Sequence, residues 1–307
     1  MKIMLSLFSI CLTISFLSAQ QEYKLDERYT INQGGLFSLD TEDATVTITG
    51  SDRNDVSVKI FRKVTGKHYS NNKFELQIEE RDGDLFIKEV KDRKGMNYTV
   101  HMNGKMEYTI DVVVPNRVAL DLKGDDDDYK IRHINGNLKI AGEDGDIHLE
   151  NINSDRAKIN SEDGDVILRD FAGSLVLNNE DGDFKSHNSF YEDLDVEIED
   201  GSIKIHNGSI ANCNIETEDG DINIDASFDA QANINIVSDD GNININAAGH
   251  GGTYTIKFED GDVDYTKSEF KLTNDSKRYR SLKTTRDGSV EVNIKVEDGD
   301  VDLSHKS

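Results

Sequence analysis

Ile140-Ala141-Gly142-Glu143-Asp144-Gly145-Asp146-Ile147-His148-Leu149 contains two short runs of alternating apolar and polar residues around an acidic turn. Ile140 closes one run, and Ile147 and Leu149 open the next. Alternation with a period of two is the pattern of a strand that buries one face. Asp144-Gly145 between the runs favours a tight turn, because glycine takes a positive φ without a steric penalty. The stretch therefore reads as strand, turn, strand.

The same unit recurs along the chain. Glu-Asp-Gly-Asp stands at 143–146, 162–165, 180–183, 218–221, 259–262 and 297–300, with close variants at 81–84, 199–202, 239–242 and 286–289. The glycines at 145, 164, 182, 201, 220, 241 and 261 are separated by 19, 18, 19, 19, 21 and 20 residues. Aligned on that glycine, four positions hold apolar or small residues, with Ser186 the one exception. Five residues before it stand Ile140, Ile159, Leu177, Val196, Ile215, Ile236 and Ile256; two after it stand Ile147, Val166, Phe184, Ile203, Ile222, Ile243 and Val263. An Asp-Gly turn also suits a hairpin meander. The fixed period and the matched columns favour like stacked on like, with neighbouring coils ~4.8 Å apart. Taking Ala44, Gly83 and Asp127 as turns extends the register toward the N-terminus. Gly83 then places Leu76, Ile78, Leu85 and Ile87 in the four columns. The expected fold class is all-β, a single-stranded parallel β-solenoid with coils of about 19 residues and an irregular N-terminal third.

Composition agrees with paired strands. The 307 residues include one proline, Pro115, and proline removes a ladder donor. Formal net charge is −25, which argues against nucleic acid as a partner. Lys2, the apolar run Ile3 to Leu17 and the small pair Ser18-Ala19 have the form of a signal peptide over 1–19. No second long apolar run follows, so no membrane span is expected after cleavage. The remainder, 20–307, reads as one solenoid domain. It divides into irregular coils with insertions (20–118), regular repeats (119–265), and an insertion with final coils (266–307). The insertions near 62–73, 90–105 and 266–286 are comparatively basic.

The segments Ile140 to Leu149, Ile159 to Leu168, Ile215 to Ile224 and Lys295 to Leu303, behind a signal peptide, resemble the putative-adhesin family of secreted bacterial β-helical domains of unknown function. Tyr108 to Asp121 resembles that family's apolar strand followed by a proline turn. The resemblance implies a right-handed winding and a place on the bacterial envelope, periplasmic or at the cell surface. It names no ligand.

Stacked turns bring like charges into columns. Unit charges ~4.8 Å apart repel by ~0.9 kcal/mol in bulk water and ~3.5 at an effective dielectric of 20. Two devices could offset this. Asp before glycine can accept backbone N–H bonds within its own turn. Alternatively, Ca²⁺ could bind a ladder of Asp144, Asp146, Asp163, Asp165, Asp181, Asp183, Asp219, Asp221, Asp260 and Asp262. Asp125 to Asp128 form a separate acidic run. Lys277, Arg278 and Arg280 in the last insertion are candidates for docking a protein partner. Outward Asn233, Asn235, Asn242, Asn244 and Asn246 offer a polar surface to a glycan. Cys213 falls in a core column and reads as a buried small hydrophobe. No His-Glu-x-x-His, Gly-x-Ser-x-Gly or phosphate-binding loop is present. The expected function is a secreted, adhesin-like scaffold that binds a protein or glycan and is not an enzyme. The alternatives are an envelope structural or sensing module and, further off, a polysaccharide-cleaving β-helix.

Overall fold

A computed structural model describes residues 21–65, 74–90 and 105–306. The signal-peptide segment and the basic residues Lys67, Lys73, Lys91, Arg93 and Lys94 lie outside the described residues. The regular structure described is entirely β, and neighbouring coils pair mainly in parallel. On the first face Leu138 pairs with Ala157, Ala157 with Leu175, Leu175 with Leu194, and Leu194 with Cys213. On the second face Ile147 pairs with Val166, Val166 with Phe184, and Phe184 with Ile203. Like therefore stacks on like, as the aligned columns require.

Each coil turns at two different corners. At the first, glycine is needed twice over. Gly164 has φ +116°, and a Cβ there would lie 2.4 Å from the carbonyl oxygen of Gly145 one coil away. At the second, His133, Asn151, Asp170, Asn188 and Asn207 all hold φ between 53° and 60°. Asn and Asp tolerate this left-handed region better than most side chains. Past that corner Ile134, Ile152 and Phe171 stack as a further inward column.

The core is the sum of these columns, and fully burying each large aliphatic is worth about 1.5–3 kcal/mol. Ser186, the exception in its column, is fully buried, and its hydroxyl lies 2.5 Å from that of Tyr191. The small side chain leaves room for a buried ring and partners its polar tip. Cys213 is 4% exposed, and burial pushes its thiol well above the usual range. A thiol reagent should leave the native protein unmodified and label it only in denaturant; rapid native labelling would contradict this burial.

Coil order departs from chain order at both ends. Asp240 pairs with Asp298 and Asp298 with Asp260, so the last coil of the chain sits between two earlier ones. Likewise Phe37 pairs with both Leu120 and Leu85. The coil of Leu36–Ser51 and the coil of Val290–His305 thus each lie one coil inside the stack, and neither forms an outermost layer. The expectation for Gly83 is corrected accordingly. Asp82 and Gly83 both have positive φ, at 58° and 90°, which suits a two-residue hairpin turn. Leu76–Arg81 therefore returns antiparallel against Asp84–Glu89. Leu85 and Ile87 join the columns of Phe37 and Leu39, whereas Leu76 and Ile78 stand half-buried on the outer strand.

Antiparallel strands cover both ends of the stack. Gln21–Thr30 pairs with Asp55–Thr65, which pairs with Lys105–Pro115. At the other end Tyr279–Thr284 pairs with Gly252–Asp260, and Phe270–Ser276 covers Tyr279–Thr284 in turn. A bare parallel edge would invite strand addition from another chain.

Candidate ligand-binding face

The acidic corner stacks the Glu-Asp-Gly-Asp turns of successive coils. Asp146, Asp165, Asp183 and Asp221 each stand directly after a turn glycine, and each bonds to the next coil. The backbone N–H of Asp165 donates to Asp146 Oδ1 at 3.0 Å, that of Asp183 to Asp165 at 3.0 Å, and that of Ser202 to Asp183 at 3.0 Å. Asn242 N–H donates to Asp221 at 3.0 Å, Asp300 N–H to Asn242 Oδ1 at 3.1 Å, and Asp262 N–H to Asp300 at 2.8 Å. The bonds run between coils and use the aspartate after the glycine, where the sequence suggested bonds within one turn from the aspartate before it. Asn242 fills the same role without a charge, so the column needs an acceptor and not an anion. Lys185 adds a cation, with Nζ 2.8 Å from Asp165 and 2.9 Å from Asp183.

Asp144, Asp163, Asp181, Asp219 and Asp260, directly before the glycines, have exposed side chains. The backbone carbonyls of Asp181 and Asp219 accept from the N–H groups of Gly164 and Gly201. One position earlier, desolvation and then the neighbours Glu143 and Glu180 raise the carboxyl pKa of Glu162. Among the described residues, no three or more His, Cys, Asp or Glu side chains are grouped to hold a metal ion. Asp127, from the separate acidic run, is 2% exposed and works inside the fold. It accepts from Thr41 Oγ1 at 2.6 Å, Ala44 N–H at 2.5 Å and the Tyr129 hydroxyl at 3.2 Å.

A column missed in the sequence reading lies three residues before the glycine. Ser161, Asn179, Thr217 and Ser238 are buried there, and each donates to the carbonyl of the aspartate two residues on. These bonds brace the turn from inside.

The second face, just past the acidic corner, points two columns of side chains outward. On five consecutive strands the pairs are Lys130 and Arg132, His148 and Glu150, Ile167 and Arg169, Lys185 and His187, and Lys204 and His206. Lys130, Arg132, Arg169 and Lys204 are exposed, and among the described residues none of them forms an ion pair. The face then continues as Asn223 and Asp225, Asn244 and Asn246, Asp302 and Ser304, and Asp264. A groove of about 730 Å³ runs over this second half, from His187 to Tyr265 and Thr266. Within it the His206 ring lies 5.9 Å from that of His187, and Lys306 Nζ lies 3.0 Å from Asp225. Asn244 donates to Asn223 at 3.2 Å and Ser304 to Asn246 at 3.0 Å.

Of the outward asparagines singled out from sequence, Asn244 and Asn246 line this groove, whereas Asn233 and Asn235 lie on the first face. Lys277 and Arg278 form the exposed tip of the end hairpin, with Arg278 3.8 Å from Glu259. Arg280 is engaged within the cap. Its Nη1 donates to the Val263 carbonyl at 2.6 Å, its Nε lies 3.2 Å from Asp275, and its guanidinium lies over the Phe258 ring. The basic half of the second face was not among the residues singled out from sequence. Its signal stood in the alignment itself, three and five residues after each glycine.

These features define a class: a stacked β-repeat scaffold that presents an open polar face. The chain belongs to the family described as Toastrack DUF4097, which matches residues 36–304. A comparison with curated proteins finds no match. Among solved structures, a putative adhesin from Bacteroides fragilis is 14% identical, with TM-score 0.37, covering 91% of this chain and 96% of that one. A putative lipid binding protein from Parabacteroides distasonis is 12% identical, with TM-score 0.37, covering 93% and 97%. A putative cell adhesion protein from Clostridium sporogenes is 13% identical, with TM-score 0.30, covering 92% and 100%. No helix among the described residues is long and apolar enough to cross a membrane.

Proposed function

We propose that this chain is an exported, adhesin-like scaffold that binds an extended glycan across its second face. The observation that carries the reading is the open groove of about 730 Å³ in which Asn, Asp, His and Ser side chains on successive strands stand around an apolar floor that includes Ile224, Ile245, Leu303 and Tyr265. Strand neighbours repeat every ~4.8 Å. A polar polymer with a short repeat can meet equivalent groups rung after rung, so many weak contacts add up. The same reading includes a right-handed winding with coils of about 19 residues, cleavage of the leader, and a place at the cell envelope. It includes no catalytic step and assigns the groove's His206 and Asp225, 3.7 Å apart, to ligand contact.

The test is retention of residues 20–307 on immobilised neutral and acidic polysaccharides, followed by biolayer interferometry. Saturable retention without release of reducing ends is expected. No retention on any of them would overturn the reading.

The acidic corner is assigned a structural role within the same proposal. Its aspartates complete an inter-coil ladder that asparagine can also complete. The melting temperature should therefore agree within about 2 °C between millimolar Ca²⁺ and chelator, a shift below ~1 kcal/mol for a chain of this size. A clear rise in Ca²⁺ would instead make the ladder a metal site.

A further inference from the structure

We infer that the basic half of the second face selects an acidic polysaccharide, one carrying carboxylate or sulfate groups along its length. The inference rests on the glycan-binding reading above and adds the charge class of the ligand. Net charge is −25, yet one face gathers Lys130, Arg132, Arg169, Lys185 and Lys204 on nearby coils. Within these two columns Glu150 is the one carboxylate, and the Asp128, Asp146, Asp165 and Asp183 column of the acidic corner flanks them on one side. Four of these cations hold no ion pair among the described residues, so they are not spent on stabilising the fold. Keeping them together has a cost in mutual repulsion, which a polyanion would relieve. The acidic corner beside the stripe repels the same ligand and confines it to the face.

The face continues without a break into the Asn-rich groove, where Asn223, Asn244 and Asn246 offer donors and acceptors suited to hydroxyls. One track thus reads acidic groups at one end and hydroxyls at the other, the two functions an acidic sugar chain carries.

Two other polyanions fit less well. Single-stranded nucleic acid is usually held by aromatic stacking. No Phe, Tyr or Trp points outward from the basic strands. Anionic membranes reward apolar insertion; of the exposed large hydrophobics, Val90, Met106 and Leu272 lie at the end strands, and Phe190 stands singly past the second corner from His187.

The experiment uses residues 20–307 in chelator with four probes: polygalacturonate, dextran, a single-stranded DNA oligonucleotide and phosphatidylglycerol vesicles. Polygalacturonate should bind most tightly, and more weakly as salt rises. The triple variant Lys130→Glu, Arg132→Glu, Arg169→Glu should lose affinity by about tenfold or more. The first-face pair Lys139→Glu, Lys158→Glu should bind as wild type does. Arg169→Gln alone, a milder change, should weaken binding if the triple variant folds poorly. Equal binding of dextran and polygalacturonate, or unchanged binding by the charge-reversed face, would overturn this inference and leave the glycan reading standing. Tighter binding of DNA or vesicles would overturn it in favour of those partners. Failure of both polysaccharides would remove the glycan reading as well.

Discussion

Gly164→Ala should destabilise the protein by about 3–5 kcal/mol, seen as a lower urea midpoint. Two costs add. The backbone at φ +116° is one that L side chains rarely adopt, and the new Cβ would meet the Gly145 carbonyl oxygen at 2.4 Å. That oxygen belongs to a neighbouring coil paired along its whole length, so it has little freedom to retreat. Gly142→Ala, at the same corner one coil earlier, is the control. Its Cβ would find only the Ser161 hydroxyl, at 3.9 Å, and its φ is not in the positive range. A change within about 0.5 kcal/mol is expected there. Equal midpoints for the two variants would mean that the coils do not approach at the glycine column.

Asp127→Ala should cost about as much, ~3–5 kcal/mol, for a different reason. Asp127 is buried and accepts from a backbone N–H and two hydroxyls that belong to three other residues. Removing the carboxylate leaves the Ala44 N–H without an acceptor in a site closed to water. Burial raises the Asp127 pKa, against the pull of its three donors. Asp127→Asn keeps one acceptor oxygen, and the Thr41 and Tyr129 hydroxyls can reverse their roles. It should recover more than half of the loss. Urea melts of the two variants measure this directly; equal losses would show that the site needs the charge itself.

The columns were legible in the sequence because each inward position faces its own copy in the next coil. Ile140, Ile159 and Leu177 could be aligned before any pairing was known. Coil order was not legible. Nothing in Val292 or Ile294 says that they insert between Ile234 and Ile236 on one side and Tyr254 and Ile256 on the other. All these side chains suit the same column, and the choice is made by the antiparallel hairpin that covers Gly252–Asp260. The hairpin at Gly83 was misread for a related reason. Asp-Gly serves both turn types, and the difference lies in the φ of Asp82, which its side chain does not dictate.

The candidate face was half legible. Asn244 and Asn246 were marked as an outward polar surface, and they line the groove. The basic stripe was not legible because each strand contributes only one or two of its cations to a chain in which acidic residues dominate. Lys130 and Lys204 are far apart in the chain; only stacking the coils brings them onto one surface. Arg280 shows the opposite case, a basic insertion residue that the fold uses to clasp its own end strand.

Lysine acetylation footprinting, with and without polygalacturonate, tests the central claim most directly. If the second face is the ligand track, Lys130 and Lys204 should be protected in the complex. Lys139 and Lys158 on the first face, and Lys277 at the hairpin tip, should label as in the free protein. Protection of Lys277 or of the first-face lysines, with Lys130 and Lys204 still reactive, would contradict the account and move the binding site away from the second face.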